Sequence, residues 1–567
     1  MYVERSCVRG AAALDVDDDG TRVRQLRAFM VLLREHEEAV ATAKRHRVAR
    51  ARKRPRVDFF KSRAVPLDLE AAENAVMRAV AALGLPLSVV ENSHFQDLLS
   101  TLASCAGVKG VPDYRGPSRR KFSTVVLDRV FEQEYGVART RVLHDAGEEG
   151  ATISCDAMTS RASKRCLVNV VAQTRNGAII VDVTDTKFQR KTNRFTVDYI
   201  VKVCDKELEA FGGLLAVNEI VVDGGMRHAM KLMRRAVHKR RVETNAALAA
   251  GTPPVITSVC VAHTFNLLLK DTHDHCSAVK DTVTAVKSIV RYFRRNDKAH
   301  ELLVRAGGKR LKISTDVRFG STFDMIQRFL EDKLQQLRKL VVSASWEAFC
   351  ASHPTLEKKG RAKAVADAIL GRSVHEHLWS KVEILEKTWK PMFLALRHFD
   401  AQQARLHTLY PALKRLPAET RVQDPHGLLP GFQAAVTDAL AERWKYLCEH
   451  TPGFLLAHAL NPVYLGDTLD ADVKAFTRGY FRSVGGELSR QLRREFQDFR
   501  AKVGIDFEDL QDIGDPFGWW NVAPGAFPQL SIVAKRVMLL TGTATECERA
   551  WKDYKRSGVA QEKSTLA

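Results

Sequence analysis

The stretch Glu219-Ile220-Val221-Val222-Asp223-Gly224-Gly225 decides how this chain is read. An apolar, β-branched run ending on one carboxylate is what a buried strand looks like when it delivers that carboxylate to a sheet edge. The two glycines after it allow backbone to come close to a phosphate or a metal. A similar strand, Ile153-Ser154-Cys155-Asp156, lies upstream and runs into the small and polar Ala157-Met158-Thr159-Ser160. An acidic helix, Glu546-Cys547-Glu548-Arg549-Ala550-Trp551, lies near the C-terminus. Carboxylates are the ligands that hard cations such as Mg²⁺ prefer, and a pair of ions stabilises both the attacking and the leaving oxygen of an in-line displacement. Asp156, Asp223 and one carboxylate of the late helix therefore point to two-metal phosphodiester chemistry. Glu546 and Glu548 stand two apart and face well apart, so only one of them can point into the sheet edge. A single Asp at a strand end is more often a turn former; the reading rests on the three together.

Working outward, the period of the apolar residues changes twice. From Leu67 to about Tyr135 it is helical, with Leu69, Ala72, Val76, Met77 and Val80 in register before Gly84 and Pro86 break the run. Ile153–Cys155, Cys166–Ala172 and Ala178–Val183 then read as three consecutive strands. A helix over Phe195–Phe211, the strand Glu219–Val222, a helix over Arg227–Lys239 and a short strand over Val255–Val261 follow. The order β-β-β-α-β-α-β is that of an RNase H-like α/β sheet, three antiparallel strands extended by parallel ones through helices. Residues 280 to about 500 are almost wholly helical in pattern. Asp515-Pro516-Phe517-Gly518-Trp519-Trp520 reads as a turn, with final helices over Leu530–Leu540 and Thr545–Lys555.

Composition narrows the function classes. The 567 residues suffice for roughly two to four domains with buried cores. Hydrophobic and charged contents of 45% and 27% are those of a globular protein rather than a disordered one. A net charge of +21 favours polyanionic partners, nucleic acid first. No apolar run approaches the roughly 18 residues a spanning helix needs, so no membrane partner is expected. Glu4, Arg5 and Arg9 precede no apolar segment, which argues against a secretory signal. The densest charge is the arm of Lys44, Arg45, Arg47, Arg50, Arg52, Lys53, Arg54 and Arg56, which suits nuclear import or phosphate binding better than a merely solvated helix end.

Ten cysteines form no CxxC pair, and a reducing compartment fits their scatter. Cys260 and His263 could be half a zinc site completed by His273, His275 and Cys276, but a buried Cys beside a locally bonded His is the commoner arrangement. Trp519 and Trp520 could stack on bases; before an apolar helix they better suit a domain or dimer interface.

Cys260-Val261-Ala262-His263-Thr264-Phe265-Asn266-Leu267-Leu268-Leu269-Lys270-Asp271 is similar to the C-x-A-H-x-L-N-L-L-L-x-D motif of the hAT transposases, and Cys547-Glu548-Arg549-Ala550-Trp551 to their C-E-R-x-W motif. Pro117-Ser118 before a helix, and Trp519-Trp520 followed by Pro528-Gln529-Leu530, resemble two further family features. The resemblance spans roughly residues 70 to 560. It implies an RNase H-like catalytic domain interrupted by a large all-α insertion, with Asp156, Asp223 and Glu548 on the catalytic D-D-E positions and Mg²⁺ or Mn²⁺ as the cofactor. Cys260, His263, Asn266, Arg549 and Trp551 would be supporting motif residues. The segment from about 511, with Trp519, Trp520 and Leu530, would be a dimerisation region, implying a homodimer or higher homo-oligomer in the nucleus. The expected division is a basic helical arm over 1–63, a helical N-terminal domain over 64–148, the first part of the RNase H-like core over 149–285, the insertion over 286–510, and the dimerisation region with the last core helix over 511–567.

The chain departs from that pattern in several places. Ala157-Met158-Thr159 replaces Gly-Trp-Ser, Val222-Asp223-Gly224-Gly225 replaces T-D-N-A, and Arg318-Phe319 stands where the family's T-R-W-x-S motif has a base-stacking Trp. Phe still stacks, with a smaller face, so Arg318 and Phe319 join the candidate DNA contacts. Cys7 is the sole cysteine before Cys105, so the family's N-terminal BED zinc finger is not expected in this sequence. The expected function is a DNA transposase that cuts and joins phosphodiester bonds. The alternative is a catalytically inactive, domesticated or decaying DNA-binding and dimerising protein. A helical scaffold with an incidental sheet fits the charge and the paired motifs less well.

Overall fold

A computed structural model describes residues 68–551 apart from 84, 86, 106–115, 160–165, 186–192, 210–212, 247–248, 250–251, 309, 316–317, 332–333, 373–375 and 505–514. The basic arm of Lys44 to Arg56 lies outside the described residues. The described chain falls into two compact units, one up to Val137 and one of Ala138–Trp551. It is rich in helix, with one small mixed sheet.

In the smaller unit, helices Leu69–Ala82 and Ser93–Cys105 and the first turns of Leu127–Glu149 close on Val76, Met77, Val80, Val90, Phe122, Val126 and Val130. Asp68 starts the first helix by accepting a hydrogen bond from the amide of Ala71 at 3.0 Å.

The larger unit contains all five strands: β1 (Ala151–Thr159), β2 (Cys166–Thr174), β3 (Gly177–Asp185), β4 (Val217–Val222) and β5 (Ile256–Val259). Their spatial order is β3-β2-β1-β4-β5, with β1–β2 and β2–β3 antiparallel and β1–β4 and β4–β5 parallel. Every residue of β4 and β5 is buried, as expected of parallel strands covered on both faces. β3, at the edge, is mostly half-exposed. Two crossover helices, α1 (Asn193–Glu207) and α2 (Met230–Thr244), connect β3 to β4 and β4 to β5. β5 leads through Cys260 into α3 (Val261–Asp274), whose buried stripe includes Ala262, Phe265, Leu268 and Leu269.

The elements between Ser277 and Arg500 are helical among the described residues, as the sequence pattern implies. Two of them bear on the site: α4 (Gly320–Glu331) and α5 (Leu378–Phe399). Their apolar faces share one continuous core with α3 and with Val221 and Ile256 of the sheet. The helix Ser277–Arg295 runs across the 285/286 boundary drawn from the sequence.

Near the C-terminus the pattern is corrected once. Asp515 to Trp520 is not a turn but the start of α6 (Pro516–Val522), because Asp515 accepts from the amide of Phe517 at 3.1 Å and Pro516 occupies the first turn, where it lacks no needed donor. Helix α7 (Pro528–Met538) follows, and α8 covers 545–551. Trp519, Trp520 and Leu530 are at most 4% exposed and lie in the chain's own core, with the indole N–H of Trp520 donating to the carbonyl of Leu460 at 3.0 Å. They hold this chain's own layers together. Among the described residues, no helix is long and apolar enough to cross a membrane.

Candidate active site

The parallel register of β1 and β4 pairs Cys155 with Val222, so the next residues, Asp156 and Asp223, are neighbours on adjacent strands. Asp223 lies just past the end of β4 and accepts from the amide of Gly224 at 2.8 Å. Asp156 does not end its strand as the sequence suggests. β1 runs on to Thr159 because β2 continues to pair with it, Asp156 opposite Asn169 and Met158 opposite Leu167. Asp156 also accepts from the amide of Ala157 at 2.7 Å.

Helix α8 returns from almost four hundred residues away to the face of β1 that carries Asp156. Ser154, Asp156 and Met158 alternate onto one face of the strand. The thiol of Cys547 donates to the hydroxyl of Ser154 at 3.3 Å, and Asn169 donates to the carbonyl of Cys547 at 3.1 Å. One turn on, Trp551 packs on Met158 and Leu167. The helix thus spans Asp156, touching the strand on either side of it, with Glu548 beside Cys547.

What anchors α8 is a residue that sequence reasoning passed over as a strand start. Glu219 is fully buried, and its carboxylate accepts from Thr152 Oγ1 at 3.1 Å, Ser258 Oγ at 2.6 Å and the amides of Thr541 and Gly542 at 2.9 and 3.1 Å. Burial pushes its carboxyl above the usual carboxylate range, against the opposing pull of those four donors. It ties β1, β4 and β5 to the segment that leads into α8. Gly542 adopts a left-handed conformation at φ +61, and a Cβ there would meet Leu406 at 2.3 Å. Arg241 is a second such residue: buried, it donates to the carbonyls of Leu214, Val217 and Pro253, and burial brings its guanidinium down to about 10. The only sequence signal for either was a charged residue in an otherwise apolar stripe.

The supporting motif residues take distinct roles. His263 Nδ1 lies 3.4 Å from Asp223 Oδ1, both side chains being partly exposed. Cys260 is buried and faces Thr543 and the amide of Ala544, with its thiol pushed up by burial. Cys276 donates to the carbonyl of Pro430, and His273 bonds Asp274, so neither turns toward Cys260. Asn266 accepts from the amide of Gly320 at 2.9 Å and thereby holds the start of α4, where Arg318 and Phe319 lie. Phe319 is half-buried against His273 and Trp389. Arg549 pairs with Glu546 and donates to the carbonyl of Asp400 at 2.7 Å. Glu548 pairs with Arg318, which also approaches Asp400 at 3.8 Å.

Two adjacent carboxylates with hard oxygen donors match the preference of Mg²⁺ or Mn²⁺. The third, Glu548, lies on α8 against the same face of the sheet; among the described residues no three His, Cys, Asp or Glu side chains gather as a metal-holding group. Asp156 and Asp223, with Glu548 of α8, are the side chains that would hold such an ion. Comparison with models of known protein families and with curated proteins gives no match.

Proposed function

We propose that this chain is a hAT-like DNA transposase or a nuclear protein derived from one, built on an RNase H-like core with an all-helical insertion, and that Asp156, Asp223 and Glu548 are its catalytic carboxylates. The observation that carries the reading is the register of β1 and β4. It sets Asp156, within β1, beside Asp223, just past the end of β4, while α8 brings Glu548 to the same face of the sheet. Strand ends of this kind are where open α/β sheets assemble sites. In an active protein, Asp156, Asp223 and Glu548 would hold Mg²⁺ or Mn²⁺, which would supply charge neutralisation at the scissile phosphate. DNA is the partner in this reading, through the Lys44–Arg56 arm and through Arg318 and Phe319, and the assembly is a homodimer or larger homo-oligomer.

A second reading has its own support. With the flanks of both aspartates departing from the motifs they resemble, Ala157-Met158-Thr159 and Gly224-Gly225, the chain would bind DNA without cutting it. The test is nicking of duplex DNA carrying the flanking sequences of its own gene, in Mg²⁺ or Mn²⁺. An active protein loses cleavage at least ~10²-fold on Asp156→Ala or Asp223→Asn with its melting temperature kept. Equal inertness of wild type and both variants, with DNA still bound, selects the second reading.

A further inference from the structure

Helix α2 divides its charges unequally. Met230, Met233, Val237 and Arg241 form its buried stripe. At about 100° per residue, Arg240 lies on one flank of that stripe, where it pairs with Asp205 of α1. Lys231, Arg234, Arg235 and His238 lie on the other flank, Lys231 three and four residues before the adjacent Arg234 and Arg235, and all are exposed. Among the described residues none of Lys231, Arg234 and Arg235 has a carboxylate within ion-pair distance. One flank of the helix is thus spent on its neighbour, and the other is left basic and open.

Topology decides where that open flank begins. β4 and β5 are parallel, so the connecting helix must run back against the strand direction. Its first turns therefore start from the sheet end that carries Asp156 and Asp223, and Lys231, Arg234 and Arg235 all belong to those turns. A cluster of cations on one helix flank, two adjacent and one about a turn away, is suited to a polyphosphate backbone, which carries closely spaced charge and releases counterions when neutralised.

We propose that Lys231, Arg234 and Arg235 form a phosphate-binding surface that seats a nucleic-acid backbone beside the Asp156–Asp223 edge. The proposal rests on the DNA-binding reading above and assigns it a surface in the folded sheet domain, separate from the N-terminal arm. The backbone contacts hold position and carry no base preference.

The test is fluorescence anisotropy with the full chain and a labelled duplex of about 30 base pairs of arbitrary sequence, across about 50 to 200 mM salt. The triple variant Lys231→Ala, Arg234→Ala, Arg235→Ala is compared with a charge-matched control, Lys358→Ala, Lys359→Ala, Lys363→Ala, on the exposed face of the helix Leu356–Leu370. The first should lose at least ~10-fold in affinity, with a salt slope shallower by about 2 to 3; the control should lose under ~2-fold. Equal losses in the two triples overturn the proposal while leaving DNA binding by the chain intact. A triple variant that keeps DNA but no longer sediments with anionic vesicles overturns it in favour of a membrane surface. Wild type that binds no duplex sinks both this proposal and the DNA-binding reading. Failure of cleavage alone bears only on the catalytic part of that reading.

Discussion

β4 and the residue that follows it carry two carboxylates four residues apart with opposite fates. Glu219, within the strand, is sealed among four donors and ties the C-terminal segment to the sheet. Asp223, at its end, is partly exposed, with His263 beside it and Asp156 on the next strand. A buried carboxylate is tolerated only where its lone pairs are met, and it then fixes whatever meets them. A carboxylate at the strand end keeps the solvent access that substrate chemistry needs. One strand thus supports both the construction of the site and its exposed face.

The largest effect should come from the buried end. Glu219→Ala leaves up to four buried donors without an acceptor and should cost roughly 3 kcal/mol or more in denaturant unfolding. A stability within ~0.5 kcal/mol of wild type would mean that Glu219 does not hold the Thr541–Gly542 segment.

The next effect is on acid stability, at a ring packed close to that segment. Leu406 donates its amide to the carbonyl of Leu540, and the neighbouring His407 accepts from Asn461 at 3.2 Å. Burial first, and Arg405 second, bring His407 down to about 4, and burial likewise brings His458 to about 4. Between the ordinary histidine value near 6.5 and about 4, the unfolded chain binds more protons than the folded one. Stability is therefore intact above the upper value and is lost as pH falls through this window. Melting temperatures measured across it should drop, with a shallower slope in His407→Gln.

The smallest effect should be at the exposed end. Asp223→Asn keeps the size and the amide contact to Gly224 and should shift stability by under ~0.5 kcal/mol. A loss comparable to that of Glu219→Ala would make Asp223 a second structural anchor and erase the contrast.

Much of this was legible in the chain. The β-branched runs from Ile153 to Val183, the apolar run before Asp223 and the short run Val255–Val261 foretold all five strands to within a few residues, because a covered strand needs such runs. Helix boundaries near Trp519 were not, since an Asp-Pro pair starts a helix and a turn equally well. Nor could spacing reveal that Trp519, Trp520 and Leu530 are core. An aromatic destined for the interior and one destined for an interface look alike until the packing layers are known.

The sequence by itself determined the local elements, the basic character and the presence of three candidate carboxylates, because these follow from periodicity and side-chain chemistry. Tertiary structure alone decided which of them meet. The register of β1 against β4 set Asp156 beside Asp223, and the return of α8 across β1 brought Glu548 to their face. Contacts between residues almost four hundred positions apart depend on how whole layers pack, and no local pattern carries that information.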